Sequence, residues 1–217
     1  MKLPPEYSQS DLTGIALSGG KSSRIGYNKA FLRLSDENDC PTLLDRTMSL
    51  LKKVCGRTVV VGQKIPGYSC FPDIVAGCGP VGGITTALEV TRSACLVLAC
   101  DIPFMEESVL NKLVDARRAR PDGTLVTCYK QLETGYPEAL VAIYEFDALP
   151  FFQASLTQRL LKIRLVIPLE RHHFLFYSGE ESRYFFNINT PAALEMAKKL
   201  ILERTAEAGA EMMTSRL

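Results

Sequence analysis

Short apolar runs recur along the first half of the chain and predict buried β-strands. Leu12–Leu17 and Ala94–Ala99 are largely apolar, and 58–61 is rich in β-branched residues. A shorter apolar stretch at 71–75 predicts another strand between them. Because these runs do not alternate with polar residues, we expect both faces of the resulting sheet to be covered.

Between the predicted strands the hydrophobic residues change to a helical spacing. Apolar side chains recur every three or four positions in Leu43–Val54, which predicts an amphipathic helix. Helical composition follows at 82–91, and Glu107–Arg118 carries its apolar residues on one side. Strands and helices thus alternate, which predicts an α/β fold with a Rossmann-like, mostly parallel sheet and helices on both faces.

The pattern changes beyond Gly123. Two candidate strands, 124–128 and 139–143, flank a polar turn at 130–137 and predict antiparallel additions to the sheet.

A last helix is predicted near the C-terminus. Thr190 is a favourable N-cap residue, and Pro191 occupies the first helical position, where its missing N–H has no cost. We therefore predict a helix over 192–203.

Composition and charge limit the class of protein. The chain has 217 residues, of which 47% are hydrophobic and 23% charged, as in an ordinary globular domain. No linker-like tract divides it, so we predict a single domain over 1–217, with frayed tails at 1–10 and 205–217. The net charge of +1 argues against nonspecific binding to nucleic acid or to an anionic membrane.

The cysteines and the N-terminus predict a cytoplasmic protein. Residues 1–10 lack the apolar region of a signal peptide, and no segment has the length of a membrane span. The seven cysteines contain no CxxC pair, so we expect reduced thiols and neither a disulfide framework nor a zinc site.

A glycine-rich loop with the sequence SGGKSSRIG follows the first predicted strand. Gly19 and Gly20 let the backbone approach a ligand closely, while Arg24 and Lys29 supply two cations. The spacings of P-loops and dinucleotide fingerprints are absent. At the carboxyl end of a parallel strand this combination predicts a triphosphate site. For the glycine pair alone, the alternative is a turn with solvated charges.

A carboxylate ends the apolar run at 94–99. Asp101 is expected at the same edge of the sheet as the glycine-rich loop. A carboxylate there can hold magnesium-triphosphate as one protein ligand beside phosphate oxygens. The alternative is that Asp101 caps the following helix. We predict that Asp101 is a metal ligand and that Mg²⁺ is the cofactor.

Two asparagines alternate just before the last predicted helix. Asn187 and Asn189 are expected on one face of a strand, with Phe186 and Ile188 on the other. Side-by-side amides can recognise polar groups. The alternative is that they satisfy backbone groups at a strand end.

These motifs resemble those of the molybdenum cofactor guanylyltransferase family, within the sugar-nucleotide type of nucleotidyltransferases. The family's loop reads approximately L-x-G-G-x-S-x-R-M-G-x-D-K, and later motifs read G-P-L-x-G-I, C-D-x-P-[FY] and F-x-N-[IV]-N-T-P. Ile25 and Asn28 depart from the loop by replacing methionine and aspartate. The matching loop positions are Leu17, Gly19, Gly20, Ser22, Arg24, Gly26 and Lys29.

The resemblance implies a nucleotide-diphospho-sugar transferase-like fold and a role for each matching residue. Catalytic roles fall on Arg24, Lys29 and Asp101, and contacts to the second substrate fall on Asn187 and Asn189. The implied nucleotide-binding residues are Leu17, Ser18, Gly19, Gly20, Arg24, Lys29, Asp73, Gly79 and Asp101. For Asp73, the alternative is a turn residue.

The implied reaction transfers GMP from GTP to the terminal phosphate of the molybdopterin cofactor, delivered by a carrier protein, and releases pyrophosphate. A phosphate monoester has a second pKa near about 6 and is already mostly dianionic at neutral pH, so no general base is required. No Ser/His/Asp arrangement is evident in the sequence, and we expect His172 and His173 at the surface.

The residues in two of these motifs favour guanine as the base of the nucleotide. The related cytidylyltransferases of the same cofactor typically show D-Q-P and A-A-G where this chain has D-I-P and S-G-G. The asparagine that relatives often carry after the second strand is Gly62 here. The alternatives are cytidylyl transfer to molybdopterin, nucleotidyl transfer to a sugar 1-phosphate, and a GTP-binding relative without turnover.

Overall fold

A mixed β-sheet forms the centre of the molecule. The structure is a computed structural model that describes residues 12–18, 29–35 and 39–214, with side chains as far as 203. Its strands are β1 (Leu12–Leu17), β2 (Arg57–Gly62), β3 (Cys70–Pro72), β4 (Ala94–Ala99), β5 (Val126–Gln131), β6 (Pro137–Tyr144) and β7 (His172–Tyr177).

Helices connect the strands and cover the sheet. They are α1 (Leu43–Val54), α2 (Gly79–Thr91), α3 (Glu107–Arg118), α4 (Leu149–Thr157) and α5 (Pro191–Thr214). Short 3-10 turns at Lys29–Phe31 and Gly179–Phe185 flank the region of interest below. In the described part of the chain, no helix is both long enough and apolar enough to cross a membrane.

The strand order is β3-β2-β1-β4-β6-β5-β7. The first four strands in this order are parallel, β6 is antiparallel to both β4 and β5, and β7 is parallel to β5. This confirms the mostly parallel α/β sheet with antiparallel additions. In the register of β1 and β4, Leu17 pairs with Ala99, so both strands release the chain at the same edge.

Two hydrophobic clusters lie on opposite faces of the sheet. Leu44 and Leu51 of α1 pack with Leu110 of α3 on one face. Ile84 of α2 and Phe152 of α4 pack on the other. Burial on both faces explains why β1 and β4 read as continuous apolar runs.

Local contacts explain where α1 and α5 begin. Thr42 and Asp45 form a reciprocal capping box at the start of α1. At α5, the predicted N-cap is confirmed, because Thr190 Oγ1 accepts a hydrogen bond from the Ala193 amide at 3.1 Å. The predicted end of this helix at residue 203 was wrong. Alanine, glutamate and methionine favour helix formation, and the helix continues to Thr214.

The predicted strand at 71–75 is shorter than expected. β3 ends at Pro72, and the Ile74 amide donates to Thr86 Oγ1 at 2.9 Å in place of a strand partner. The predicted turn at 130–137 is also shorter, because β5 extends to Gln131 and β6 begins at Pro137.

The predicted strand containing Asn187 and Asn189 was wrong. The Ile188 amide donates to the Asp101 carbonyl at 2.9 Å, and the Asn189 amide donates to the Asn187 carbonyl at 3.1 Å. These bonds fold the segment between residue 185 and α5 into an irregular turn against the chain that follows β4.

Candidate active site

The chain leaving β1 is fixed to its neighbour β2. The Ser18 amide donates to the Val61 carbonyl at 2.9 Å, and Ser18 Oγ accepts from the Gln63 amide at 3.3 Å. Leu17 and Ser18 therefore begin the glycine-rich loop from a defined position. Three of the predicted nucleotide-binding residues lie outside the described residues: Gly19, Gly20 and Arg24.

Lys29 joins the two sides of the candidate site. Its Nζ lies 2.9 Å from Asp101 Oδ2 and 2.8 Å from Asn189 Oδ1. These residues come from the 3-10 turn after the loop, from the end of β4 and from the segment before α5. The side chains of Lys29 and Asp101 are 20% and 17% exposed, so the ion pair is largely shielded from water.

Asp101 has one carboxylate oxygen without a hydrogen-bond partner among the described residues. Its Oδ1 is buried and accepts no hydrogen bond among the described residues, while Oδ2 pairs with Lys29. An unpaired buried acceptor is costly, and a cation is a suitable partner for it. The helix-cap alternative was wrong, because Glu106 occupies the N-cap position of α3.

Asp73 lies directly after β3 and faces α2. A Cβ built on Gly83 would lie 3.7 Å from Asp73 Oδ1 and 3.0 Å from Leu17 Cδ2, so the glycine lets Asp73 and the end of β1 converge. Asp73 Oδ1 is buried and accepts no hydrogen bond within the described ranges. Burial raises the pKa of Asp73 above its ordinary value.

The start of α2 depends on glycine. Gly79 is the first helical residue and has φ of +56°, a conformation that favours glycine. Gly62, which ends β2, has φ of +123°, so glycine fits the backbone at the position where relatives often carry asparagine.

Asn187 differs from Asn189 in its surroundings. Its side-chain Oδ1 is buried and has no hydrogen-bond partner among the described residues. Ile188, between the two asparagines, is fully buried and packs in a small cluster with Phe104 and Leu43. The segment is therefore anchored by Ile188, with the two amides in different environments.

Two contributors to the site were missed from the sequence. Gly83 permits the close approach of Leu17 and Asp73, and the Thr86 hydroxyl holds the loop after Asp73. The adjacent Gly82 and Gly83 in a predicted helix were a readable signal, because glycine there weakens a helix unless close packing needs it. The sequence contained no comparable signal for Thr86.

Cys100 adjoins Asp101, whereas His172 lies apart from this arrangement. All seven cysteines are free, as expected. Burial raises the pKa of the Cys100 thiol to about 12, so it stays protonated beside Asp101. His172 begins β7 at the sheet edge, half-buried and stacked on Phe174 at 5.2 Å. Within the residues described, no three His, Cys, Asp or Glu side chains cluster as metal ligands.

A mostly parallel sheet, a glycine-rich loop after β1, and an ion pair between Lys29, which follows that loop, and Asp101, which follows β4, define a nucleotidyltransferase of the α/β type. Residues 14–183 match the family model described as the MobA-like NTP transferase domain. The chain belongs to this family.

Relatives with known names agree with this assignment. The molybdenum cofactor guanylyltransferase of Xanthomonas euvesicatoria is 29% identical over 82% of this chain and 90% of its own length. Molybdopterin-guanine dinucleotide biosynthesis protein A from Archaeoglobus fulgidus superimposes with a TM-score of 0.71 at 26% identity, covering 88% of this chain and 99% of its own.

A more distant structure shares the fold alone. The 2-C-methyl-D-erythritol 4-phosphate cytidylyltransferase of Thermus thermophilus gives a TM-score of 0.59 at 15% identity, over 86% of this chain and 97% of its own.

Proposed function

We propose that this protein is a molybdenum cofactor guanylyltransferase, which transfers GMP from GTP to the terminal phosphate of molybdopterin and releases pyrophosphate. The observation that carries the proposal is the Lys29–Asp101 pair, which joins the 3-10 turn after the glycine-rich loop to the chain that follows β4. The names of the relatives from Xanthomonas and Archaeoglobus support the choice of nucleotide and acceptor.

Mg²⁺ is the proposed cofactor, with Asp101 as its protein ligand. The buried, unpaired Oδ1 of Asp101 fits this role, since a hard cation prefers carboxylate oxygens. When bound, the ion would neutralise charge on the phosphates of the nucleotide.

The chain's own residues orient and stabilise the phosphates. A lysine ammonium has three N–H donors, and among the described residues two of those of Lys29 are used, by Asp101 and Asn189; the third is proposed to donate to a phosphate oxygen. Arg24 and the amides of Gly19 and Gly20 are proposed to contact the same triphosphate. The attacking phosphate is already dianionic, so the protein's task is positioning and charge stabilisation.

Asp73 is a proposed contact to the nucleotide, and Asn187 is a proposed contact to the acceptor. Asp73 converges with Leu17 on the nucleotide side, next to the start of α2 at Gly79. Asn187 carries an unsatisfied amide oxygen on the side of the C-terminal segment, where the acceptor is expected.

We also propose that the protein acts in the cytoplasm and receives molybdopterin from a carrier protein. Seven free thiols fit the reducing cytoplasm, where GTP is also available. Delivery of molybdopterin by a carrier protein remains a proposal that follows from the family resemblance.

The decisive experiment measures pyrophosphate release and dinucleotide formation from GTP and molybdopterin with Mg²⁺. Asp101→Asn should lower both by at least about a hundredfold, because it removes a charge that acts on the reacting phosphates. Asp115→Asn is the matched control, since Asp115 is 70% exposed and pairs only with Arg118 on the surface of α3.

Three outcomes would contradict the proposal. Wild-type rates in Asp101→Asn would remove Asp101 from the reaction. Turnover of CTP in preference to GTP, or of a sugar 1-phosphate in preference to molybdopterin, would replace the guanylyltransferase by one of its alternatives. Tight GTP binding with no pyrophosphate formed would indicate a binding protein without turnover.

A further inference from the structure

The Lys29 ammonium lies between a charged and a neutral acceptor. Asp101 Oδ2 is 2.9 Å away and Asn189 Oδ1 is 2.8 Å away, so both bonds have good length. Asp101 alone would leave the flexible four-carbon side chain of Lys29 free to rotate about one contact. The second contact fixes the ammonium at one place and leaves its third donor for a ligand.

Asn189 is presented by a segment that is itself fixed. The Ile188 amide donates to the Asp101 carbonyl at 2.9 Å, and the Ile188 side chain is fully buried. On the other side, Thr190 caps α5 through its bond from the Ala193 amide. The backbone of Asn189 is therefore held from both directions, and its exposed side chain can anchor Lys29.

The charge balance explains why an amide suits this position. Lys29 and Asp101 together carry no net charge, and the neutral Asn189 holds the ammonium without adding a negative charge. A carboxylate at this position would give the three side chains a net negative charge and would repel a polyphosphate.

We infer that Asn189 is a positioning residue for the triphosphate site, which acts through Lys29, and that the two asparagines of the segment therefore serve different substrates. This inference rests on the proposed function only in taking a polyphosphate as the ligand of Lys29. Asn187, two residues away, has a buried amide oxygen with no hydrogen-bond partner among the described residues. It is the natural comparison for any variant of Asn189.

The test measures binding without an acceptor and without turnover. Asn189→Ala should weaken GTP binding, measured by titration calorimetry with Mg²⁺, by about ten- to thirtyfold, which corresponds to the lower part of the range for a hydrogen bond to a charged group. Asn187→Ala should leave GTP affinity within about twofold of the wild type. Both variants should keep the wild-type circular dichroism spectrum, because neither substitution removes a backbone contact.

A double-mutant cycle separates positioning from a merely structural role. Lys29→Met should weaken GTP binding more than Asn189→Ala does. If Asn189 acts through Lys29, adding Asn189→Ala to Lys29→Met should cause no further loss. A second probe, inorganic tripolyphosphate without metal, should bind Asn189→Asp more weakly than Asn189→Ala, because the new carboxylate repels it.

The results that would overturn the inference are distinct from those that would overturn the proposed function. Unchanged GTP affinity in Asn189→Ala, or fully additive losses in the cycle, would show that Asn189 does not act through Lys29. If the wild-type protein binds tripolyphosphate but not GTP, the proposed guanylyltransferase function is contradicted. The role of Asn189 is then tested by the affinity of its variants for tripolyphosphate. Binding of neither ligand by the wild type would overturn both.

Discussion

Asp73 is a carboxylate whose burial opposes its charge. Burial raises its pKa, and no described residue donates a hydrogen bond to the buried Oδ1. Such an arrangement lowers the stability of the folded protein at neutral pH, because the native state must hold a desolvated charge. Groups of this kind concentrate at functional sites, which agrees with the proposed nucleotide contact.

Replacing Asp73 by asparagine should therefore raise stability and impair nucleotide binding. The folded pKa of Asp73 lies above its ordinary value of 3.8, so the native state holds this proton more tightly than the unfolded chain. Protonation of Asp73 therefore stabilises the native state at low pH. This stabilisation is lost as the pH rises from the pKa of Asp73 in the unfolded chain towards its higher pKa in the folded protein. Urea unfolding should show Asp73→Asn more stable than the wild type at pH 7, with the difference disappearing as the pH falls towards 3.8.

Two results would contradict the prediction for Asp73→Asn. An Asp73→Asn protein that is less stable than the wild type at pH 7 would mean that the carboxylate makes a favourable interaction in the native state. An unchanged GTP affinity would remove Asp73 from the site.

At the scale of the elements, β1 lies close to α1 at Gly14. A Cβ built there would lie 3.1 Å from Leu51 Cβ, 3.2 Å from Thr58 Cγ2 and 3.3 Å from Cys55 Cβ. None of these atoms is the free end of a long side chain, so they cannot move aside easily. Gly14 thus sets the distance between α1 and β1, the strand that leads into the glycine-rich loop.

Gly14→Ala should destabilise the protein by about 1–3 kcal/mol, the usual cost of overpacking a core. The measurement is the free energy of unfolding in urea. Gly179→Ala serves as the control, because its Cβ would meet only Glu133 Oε1 at 3.5 Å, an ordinary contact. A variant at Gly14 as stable as this control would show that β1 and α1 can separate without cost.

The elements differ in how well the sequence predicts them, for a physical reason. Leu12–Leu17, Ala94–Ala99 and Glu107–Arg118 were predicted with the bounds observed, because each buries a continuous or periodic set of apolar residues. β7 was missed. It is an edge strand whose residues are mostly half-buried, so its sequence does not alternate regularly between apolar and polar residues.

At the scale of the whole molecule, β4 divides the sheet. The parallel strands on one side carry the loop after β1 and Asp73, whereas the antiparallel pairing of β6 begins on the other side. Asp101 and Lys29 were identifiable from the sequence because strand ends in such a sheet meet at one edge. The bond between Lys29 and Asn189 was not, since 160 residues separate them and the local pattern of Asn187 and Asn189 indicated a strand.

Nucleotide binding should stabilise the entire domain. In a thermal-shift panel with Mg²⁺, GTP at one hundred times its Kd should contribute about 2.7 kcal/mol, or about 5–10 °C for a domain of this size. CTP, ATP and UTP at the same concentration should give smaller shifts. An equal shift with all four would mean that the site recognises the triphosphate and not the base, and a larger shift with CTP would favour the cytidylyl alternative.

The contact between Lys29 and Asn189 also ties the two substrates together energetically. Lys29 is the proposed phosphate contact and is bonded to Asn189, which belongs to the same segment as Asn187, the proposed contact to the acceptor. Binding free energies are reciprocal, so any factor by which bound GTP changes the affinity for molybdopterin is also the factor by which molybdopterin changes the affinity for GTP. If the proposed contacts hold, the bond between Lys29 and Asn189 would make each substrate an effector of the other.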